Sequence, residues 1–157
     1  MAAVARTLHQ FFLKKKKTLA FAESCTGGMM AQQITKHSGA SKYFLGSLVV
    51  YADALKKDIL GVSPKTLRKH GSVSKEVVEE MLEGLFRATS ADFGIAVSGI
   101  AGPTGGTKEK PVGTIWAAIG QRGKAAQVVH FKVKGNRKTI ILSTTKKLFG
   151  LLAKHAR

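Results

Sequence analysis

The first residues that could do chemistry lie in the segment 22–28, which reads Ala-Glu-Ser-Cys-Thr-Gly-Gly after a short apolar run. Ser24 stands where the pattern changes from strand to helix, so the N–H groups that follow it lack helical acceptors. These groups belong to Cys25, Thr26 and Gly27. Such a serine is a candidate nucleophile, because free N–H groups can hold an oxyanion and glycine lets a substrate approach the backbone. The alternative is an ordinary N-cap.

Cys25 is a rival nucleophile by position, because the start of a helix lowers the pKa of a thiol. The alternative is a small buried residue that only fills space. A serine nucleophile also needs a base, and the five histidines show neither metal-ligand spacing nor a place in a glycine-rich turn. Lysine is the other activator of serine, where burial or a cationic neighbour favours the neutral amine.

The segment 51–56 supplies a lysine of this kind. Tyr51 ends a predicted strand, and Asp53 and Lys56 lie three residues apart on one face of the helix that follows. Lys56 is therefore a candidate base for Ser24. The alternative is a tyrosine at the rim of the sheet beside a solvated ion pair.

Two further segments could hold a substrate. The loop 99–107 has four glycines, with hydroxyls at Thr104 and Thr107, and can offer backbone donors to a phosphate or a leaving group. It matches neither the P-loop nor the dinucleotide-binding fingerprint. Arg137 stands at the start of a predicted helix, where its planar fork could bind phosphate, or it could be an exposed arginine in a basic patch.

The apolar spacing predicts the elements that position these residues. Strands are predicted at 19–22, 45–51, 93–97, 114–119 and 125–133. Helices are predicted at 3–13, 29–34 and 54–60 and after three further caps, with Asp53, Ser63, Ser74 and Asn136 as N-caps and Gly61 as a C-terminal stop. Helices and strands alternate early and two strands adjoin late, which indicates an α/β domain with a mixed sheet.

Composition sets limits on the function. The 157 residues carry 26 Lys and Arg against 9 Asp and Glu, a formal charge of +17, with 44% hydrophobic residues. This excludes a disordered or fibrous chain, and we expect one domain over residues 1–157. The cations are spread out with few aromatic residues between them, so we expect weak non-specific nucleic-acid binding at low salt. A single cysteine, without a predicted signal peptide or membrane span, favours the cytoplasm.

Five segments form an ordered set over residues 18–137. They are A-E-S-C-T-G-G at 22–28; Tyr51 and Lys56 with L-G-V at 60–62; H-G-S-V-S at 70–74; S-G-I-A-G-P at 98–103 with G-G-T and K-P-V-G-T; and G-N-R at 135–137. Together they resemble the CinA C-terminal domain family, to which bacterial nicotinamide mononucleotide amidohydrolases belong.

This resemblance implies a three-layer α/β/α fold and a homo-oligomer. It also implies hydrolysis of the carboxamide of nicotinamide mononucleotide to nicotinate mononucleotide and ammonia, without a metal or another cofactor. By position, Ser24 is the nucleophile, Lys56 its base, and Tyr51 an aid to proton transfer or orientation. The residues implied to bind the substrate are Thr26, Gly27, Asp53, Ser98, Thr104 and Arg137, the last through the phosphate.

The chain departs from the family pattern at three positions. Ser98 stands where threonine is usual, and keeps the hydroxyl. Asp53 stands where asparagine is common, which places an anion near Lys56 and favours the charged amine. Ile141 stands where a second arginine is frequent. These departures and the charge leave an alternative, which is a weak or inactive nucleotide-binding, competence-associated member of the fold.

Overall fold

Five strands form one mixed sheet at the centre of the protein. The computed structural model describes residues 1–156, with strands β1 (Leu19–Glu23), β2 (Phe44–Val49), β3 (Phe93–Gly99), β4 (Thr114–Gln121) and β5 (Gln127–Lys132). Their order is β2-β1-β3-β4-β5; β1 is parallel to β2 and β3, and β4 is antiparallel to β3 and β5. The predicted mixed sheet is confirmed, although β2 and β5 end before the predicted residues 51 and 133.

Six helices cover the two faces of the sheet. They are α1 (Ala2–Lys15), α2 (Met29–Thr35), α3 (Asp53–Leu60), α4 (Pro64–His70), α5 (Lys75–Ala88) and α6 (Arg137–His155). Helices α1, α2 and α6 share one apolar core with the sheet, and α3 and α5 share the other. The three-layer α/β/α architecture is therefore confirmed.

The strands show why the two cores differ. β1 is wholly buried, and its large residues Leu19 and Phe21 belong to the core under α1 and α6. Its small residues Ala20 and Ala22 belong to the core under α5. Small residues let α5 pack directly on the sheet; at Gly94, a Cβ would lie 3.0 Å from Leu82 Cδ1.

Three of the four predicted N-caps are confirmed. The side chains of Ser63, Ser74 and Asn136 accept hydrogen bonds from the first turns of α4, α5 and α6. The prediction was wrong for Asp53, because the N-cap of α3 is Ala52 and Asp53 is the first helical residue. The Asp53 carboxylate instead binds two side chains of the site described below.

The strand order predicts where a ligand would bind. The chain leaves β1 toward β2 on one side and leaves β3 toward β4 on the other, so the connections diverge between β1 and β3. In open α/β sheets, the crevice beyond the carboxyl ends of such strands is the usual ligand site. No helix within residues 1–156 combines the length and hydropathy that crossing a membrane requires.

Candidate active site

Three segments meet at the carboxyl ends of the parallel strands. Ser24 follows β1, Ser98 lies near the end of β3, and Tyr51 lies two residues after β2. They line a hollow of about 200 Å³, here called the serine hollow, together with Asp53, Lys56 and Ser72. The structure thus brings Ser24 and Lys56 to one hollow, and no hydrogen bond joins the two side chains.

Glu23 anchors the turn that carries Ser24. It is completely buried, and its carboxylate accepts five hydrogen bonds of 2.7 to 3.1 Å, from the hydroxyls of Thr26 and Ser47 and the N–H groups of Gly28, Met30 and Ala31. The carboxylate therefore occupies the N-terminus of α2, where a substrate phosphate could otherwise bind. The sequence analysis missed this residue, although an acidic side chain ending an apolar run was a signal.

Two N–H groups beside Ser24 remain free. The N–H of Gly27 donates to the Ser24 carbonyl at 3.1 Å, and the Ser24 N–H donates to Val97 of β3 at 3.1 Å. Within residues 1–156, the N–H groups of Cys25 and Thr26 have no acceptor on another residue. Of the three N–H groups expected from the sequence, two are thus available to hold an oxyanion, and Gly27 is not.

Lys56 is buried at the floor of the serine hollow. Its side chain is 2% exposed, and its Nζ donates to the Tyr51 carbonyl and to Asp53 Oδ1, both at 3.1 Å. A neutral amine has two N–H bonds for these acceptors and keeps one lone pair. The neutral form therefore suits a proton acceptor, and the Asp53 carboxylate lies within ion-pair distance of the amine.

Asp53 links Lys56 to the segment before α5. Its Oδ2 accepts a short hydrogen bond of 2.5 Å from the Ser72 hydroxyl. Burial acts to raise the pKa of Asp53, but the hydrogen bonds from Ser72 and Lys56 and the charge of Lys56 lower it below the usual value. Asp53 is therefore an anion at neutral pH, and the anion expected beside Lys56 is present.

Ser98 faces the same hollow from β3. It is 1% exposed, and its hydroxyl donates to the Ser72 carbonyl at 2.7 Å. The hydroxyl proton is thus committed, but the oxygen can still accept a hydrogen bond from a ligand. An amide N–H of a substrate is the matching donor.

Cys25 does not have the properties of a nucleophile. Burial and the charge of Glu23 raise the pKa of its thiol to about 12. The thiolate is the reactive form, so a buried neutral thiol is inert at physiological pH. The structure corrects the expectation of a lowered thiol pKa, because Glu23 occupies the helix N-terminus and the thiol faces the core. A Cβ on Gly99 would lie 3.1 Å from its Sγ, which shows how closely β3 packs on it.

A second hollow adjoins the first. It has a volume of about 320 Å³, is here called the arginine hollow, and is lined by Cys25, Thr26, Gly27, Met29, Tyr51 and Arg137, with Ile141 at its side. Arg137 donates from Nη1 to the Gly102 carbonyl at 2.8 Å and from Nη2 to the Tyr51 hydroxyl at 2.7 Å. Tyr51 lines both hollows and is 57% exposed, so it stands at the boundary between them.

The remaining expected site residue lies elsewhere. Thr104 is exposed in the glycine-rich loop and lines neither hollow. Ile141, which replaces a frequent family arginine, presents an apolar side chain to the arginine hollow. Within residues 1–156, no group of three or more His, Cys, Asp or Glu side chains could hold a metal ion.

Comparison with known proteins agrees with the fold and the motifs. The model of the CinA C-terminal domain matches residues 1–156. The chain belongs to this family. A CinA-like protein of Thermotoga neapolitana is 46% identical over 144 residues, which are 92% of this chain and 35% of that protein. A CinA-like protein of Desulfosudis oleivorans is 47% identical over 152 residues, which are 96% of this chain and 35% of that protein.

Solved structures agree as well. The competence/damage inducible protein CihA of Agrobacterium tumefaciens has a TM-score of 0.93 at 33% identity, over 99% of this chain and 95% of that chain. The competence damage-inducible protein A of Klebsiella pneumoniae has a TM-score of 0.93 at 29% identity, over 98% and 94%. The chain spans about a third of the length of the curated relatives that it matches.

Proposed function

We propose that the protein is a serine amidohydrolase that converts nicotinamide mononucleotide to nicotinate mononucleotide and ammonia. One observation carries the proposal: a free serine hydroxyl and a buried lysine amine line one hollow, and the uncommitted N–H groups of Cys25 and Thr26 directly follow that serine. This combination supplies a nucleophile, a base and an oxyanion site without a metal.

Acylation begins at Ser24. Its oxygen attacks the carboxamide carbon, and its proton passes to the neutral amine of Lys56. The carbonyl oxygen becomes an oxyanion, held by the N–H groups of Cys25 and Thr26. Lys56 then gives the proton to the amide nitrogen, the C–N bond breaks, and ammonia leaves an ester on Ser24.

Water completes the reaction. Lys56, again a neutral amine, takes a proton from a water molecule that attacks the ester carbon. The C–O bond to Ser24 breaks, the proton returns to the serine oxygen, and nicotinate mononucleotide leaves. The net reaction consumes one water molecule and restores the enzyme.

The two hollows divide the substrate between them. The carboxamide lies in the serine hollow, where the Ser98 oxygen accepts from the amide nitrogen. The phosphate lies in the arginine hollow, where the planar fork of Arg137 leaves Tyr51 and binds two phosphate oxygens. Tyr51, at the boundary, lies beside the ribose and pyridine ring.

The test is release of ammonia from nicotinamide mononucleotide. Wild-type protein and Cys25→Ala should both release ammonia, and Ser24→Ala should lose at least about a thousandfold in rate. Equal turnover by wild type and Ser24→Ala would remove the nucleophile assignment. Loss of turnover in Cys25→Ala alone would transfer the role to the thiol.

A second candidate is a nucleotide-binding protein without turnover. The ion pair between Asp53 and Lys56 favours it, because a charged amine cannot accept the serine proton. Calorimetry distinguishes the two: heat of binding for nicotinamide mononucleotide, with no ammonia released by wild type or by Asp53→Asn, supports this candidate.

A further inference from the structure

A third hollow, lined by basic side chains, lies at the opposite end of the sheet. β1 and β3 begin there and β4 ends there, so the whole length of the strands separates it from Ser24. The hollow has a volume of about 290 Å³ and is here called the lysine hollow, after the lining side chains Phe11, Lys15, Lys17, Phe93, Lys124 and His155. It takes no part in the proposed hydrolysis.

The backbone at the end of α1 directs two lysines to this hollow. Lys16, which follows the helix, has a φ of 52° and is the one residue other than glycine with positive φ within residues 1–156. The left-handed region is unfavourable for a lysine, because its Cβ crowds the following carbonyl oxygen. The turn it makes places Lys15 and Lys17, on either side of it, at one hollow.

Positive charge is concentrated at this end of the molecule. The cations in the elements that meet there are Lys14, Lys15, Lys16, Lys17, Arg122, Lys124 and Lys154. The acidic side chains nearby are Asp92, which pairs with Lys17 at 3.2 Å, and four glutamates of α5, which line a neighbouring hollow together with Lys124. The C-termini of α1, α5 and α6 also lie there, and each contributes about half a negative charge. The excess of positive charge is therefore greatest at the end of α1, where residues 14–17 are four consecutive exposed lysines.

The chemistry of the hollow favours a phosphate-rich ligand over a lipid surface. Lysines that are free to contact phosphates bind by releasing counterions. Membrane-surface binding also needs apolar anchors, and the large exposed hydrophobic side chains of this protein lie elsewhere, at Leu45, Val49, Tyr51, Leu55, Ile59 and Val112. A flexible single strand of nucleic acid can place its phosphates in a concave site of this size, whereas a stiff duplex cannot bend into it.

We propose that the lysine hollow and the cations around it bind the phosphate backbone of single-stranded nucleic acid. Recognition is through charge and is independent of base sequence. The lysine hollow is separate from the serine hollow, so nucleic-acid binding there does not depend on the proposed hydrolysis.

The test is fluorescence anisotropy of a labelled oligothymidylate of roughly 12 nucleotides, within the usual range of single-strand sites. The full chain is titrated at several salt concentrations. The test variant replaces three lysines of the hollow: Lys15→Gln, Lys17→Gln and Lys124→Gln. The matched control removes the same charge from exposed lysines elsewhere: Lys65→Gln, Lys69→Gln and Lys146→Gln.

Loss of three phosphate contacts should lower the slope of log K against log salt by about two, since each contact to a single strand contributes about 0.7. The control should keep most of the wild-type slope. Equal losses in both variants would overturn a localised site, as would absence of binding by wild type at low salt. Tighter binding to phosphatidylglycerol vesicles, lost in the test variant alone, would also overturn the proposal.

Thermal melts and circular dichroism show whether each variant is folded. If the Lys17→Gln change alone weakens folding through Asp92, the pair Lys15→Gln and Lys124→Gln gives the same test with an expected slope change of about 1.4. Ammonia release should be unchanged in the test variant, because none of its residues reaches the serine hollow.

Discussion

Replacing Asp53 with asparagine tests how the base is controlled. The change keeps the shape of the side chain but removes the anion that lies 3.1 Å from Lys56 Nζ. Without it, the buried amine loses its proton more readily. We therefore expect the acid limb of the pH profile of kcat/KM to move to lower pH.

The size of the effect follows from the distance between the two charges. At 3.1 Å, the attraction is ~1.3 kcal/mol in bulk water and ~5 kcal/mol at an effective dielectric constant of 20. The Asp53 side chain is 53% exposed, so solvent screening favours the lower part of this range, about 1–3 kcal/mol. Since 1.36 kcal/mol corresponds to a factor of ten, kcat/KM measured at one pH on that limb should rise by about five- to a hundredfold.

The assay is ammonia release from nicotinamide mononucleotide across pH, with Asp58→Asn as the control. Asp58 lies on the same helix and pairs with Lys57 at 3.0 Å, but both side chains are at least half exposed and neither lines the serine hollow. The control profile should match wild type. A profile of Asp53→Asn that superimposes on wild type, or moves to higher pH, would refute Lys56 as the base.

Three other predictions concern stability. Glu23→Gln places an amide N–H against the N–H donors at the start of α2. It should therefore lower the free energy of unfolding in urea by about 1–3 kcal/mol and reduce kcat. Unchanged stability and kcat would contradict the anchoring role of Glu23. Gly84→Ala should lower the free energy of unfolding by about 1–3 kcal/mol, because a Cβ there would overlap the Leu60 carbonyl. Gly150→Ala, in open space on α6, should raise it by about 0.5–1 kcal/mol. Thermal melts that rank the two variants otherwise would contradict the packing. Burial raises the pKa of Asp92, but hydrogen bonds and the charge of Lys17 lower it overall, so its stabilisation is present above about pH 4 and lost as pH falls through its folded pKa; Asp92→Asn should flatten the acid limb of stability against pH.

Much of the fold was predictable because local chemistry and tertiary packing agree. Ser63, Ser74 and Asn136 cap helices as the sequence indicates, because no charged side chain binds the oxygen that accepts from the helix. Asp53 does not, because Lys56 and Ser72 bind its carboxylate. The order of the strands was not predictable from periodicity, since which strands pair depends on the packing of α5 and α6.

The sequence predicted most of the residues that line the site, but not the contacts that hold them there. Motif and spacing single out Ser24, Lys56 and Arg137, and the structure places the first two at one hollow and the third at its neighbour. The part played by Glu23 depends on donors from residues up to 24 positions away, which spacing does not show. Thr104 was expected from its hydroxyl in a glycine-rich loop, but that part of the loop is exposed and away from both hollows.

The most direct test of the mechanism is to find the covalent intermediate. Wild-type protein and Cys25→Ala are mixed with nicotinamide mononucleotide and quenched in acid, and the tryptic peptide 18–36 is analysed by fragmentation mass spectrometry. The mechanism predicts a nicotinate mononucleotide ester on Ser24 in both proteins, and none in Ser24→Ala. An adduct on Cys25, or ammonia release at the full rate by Ser24→Ala, would contradict it.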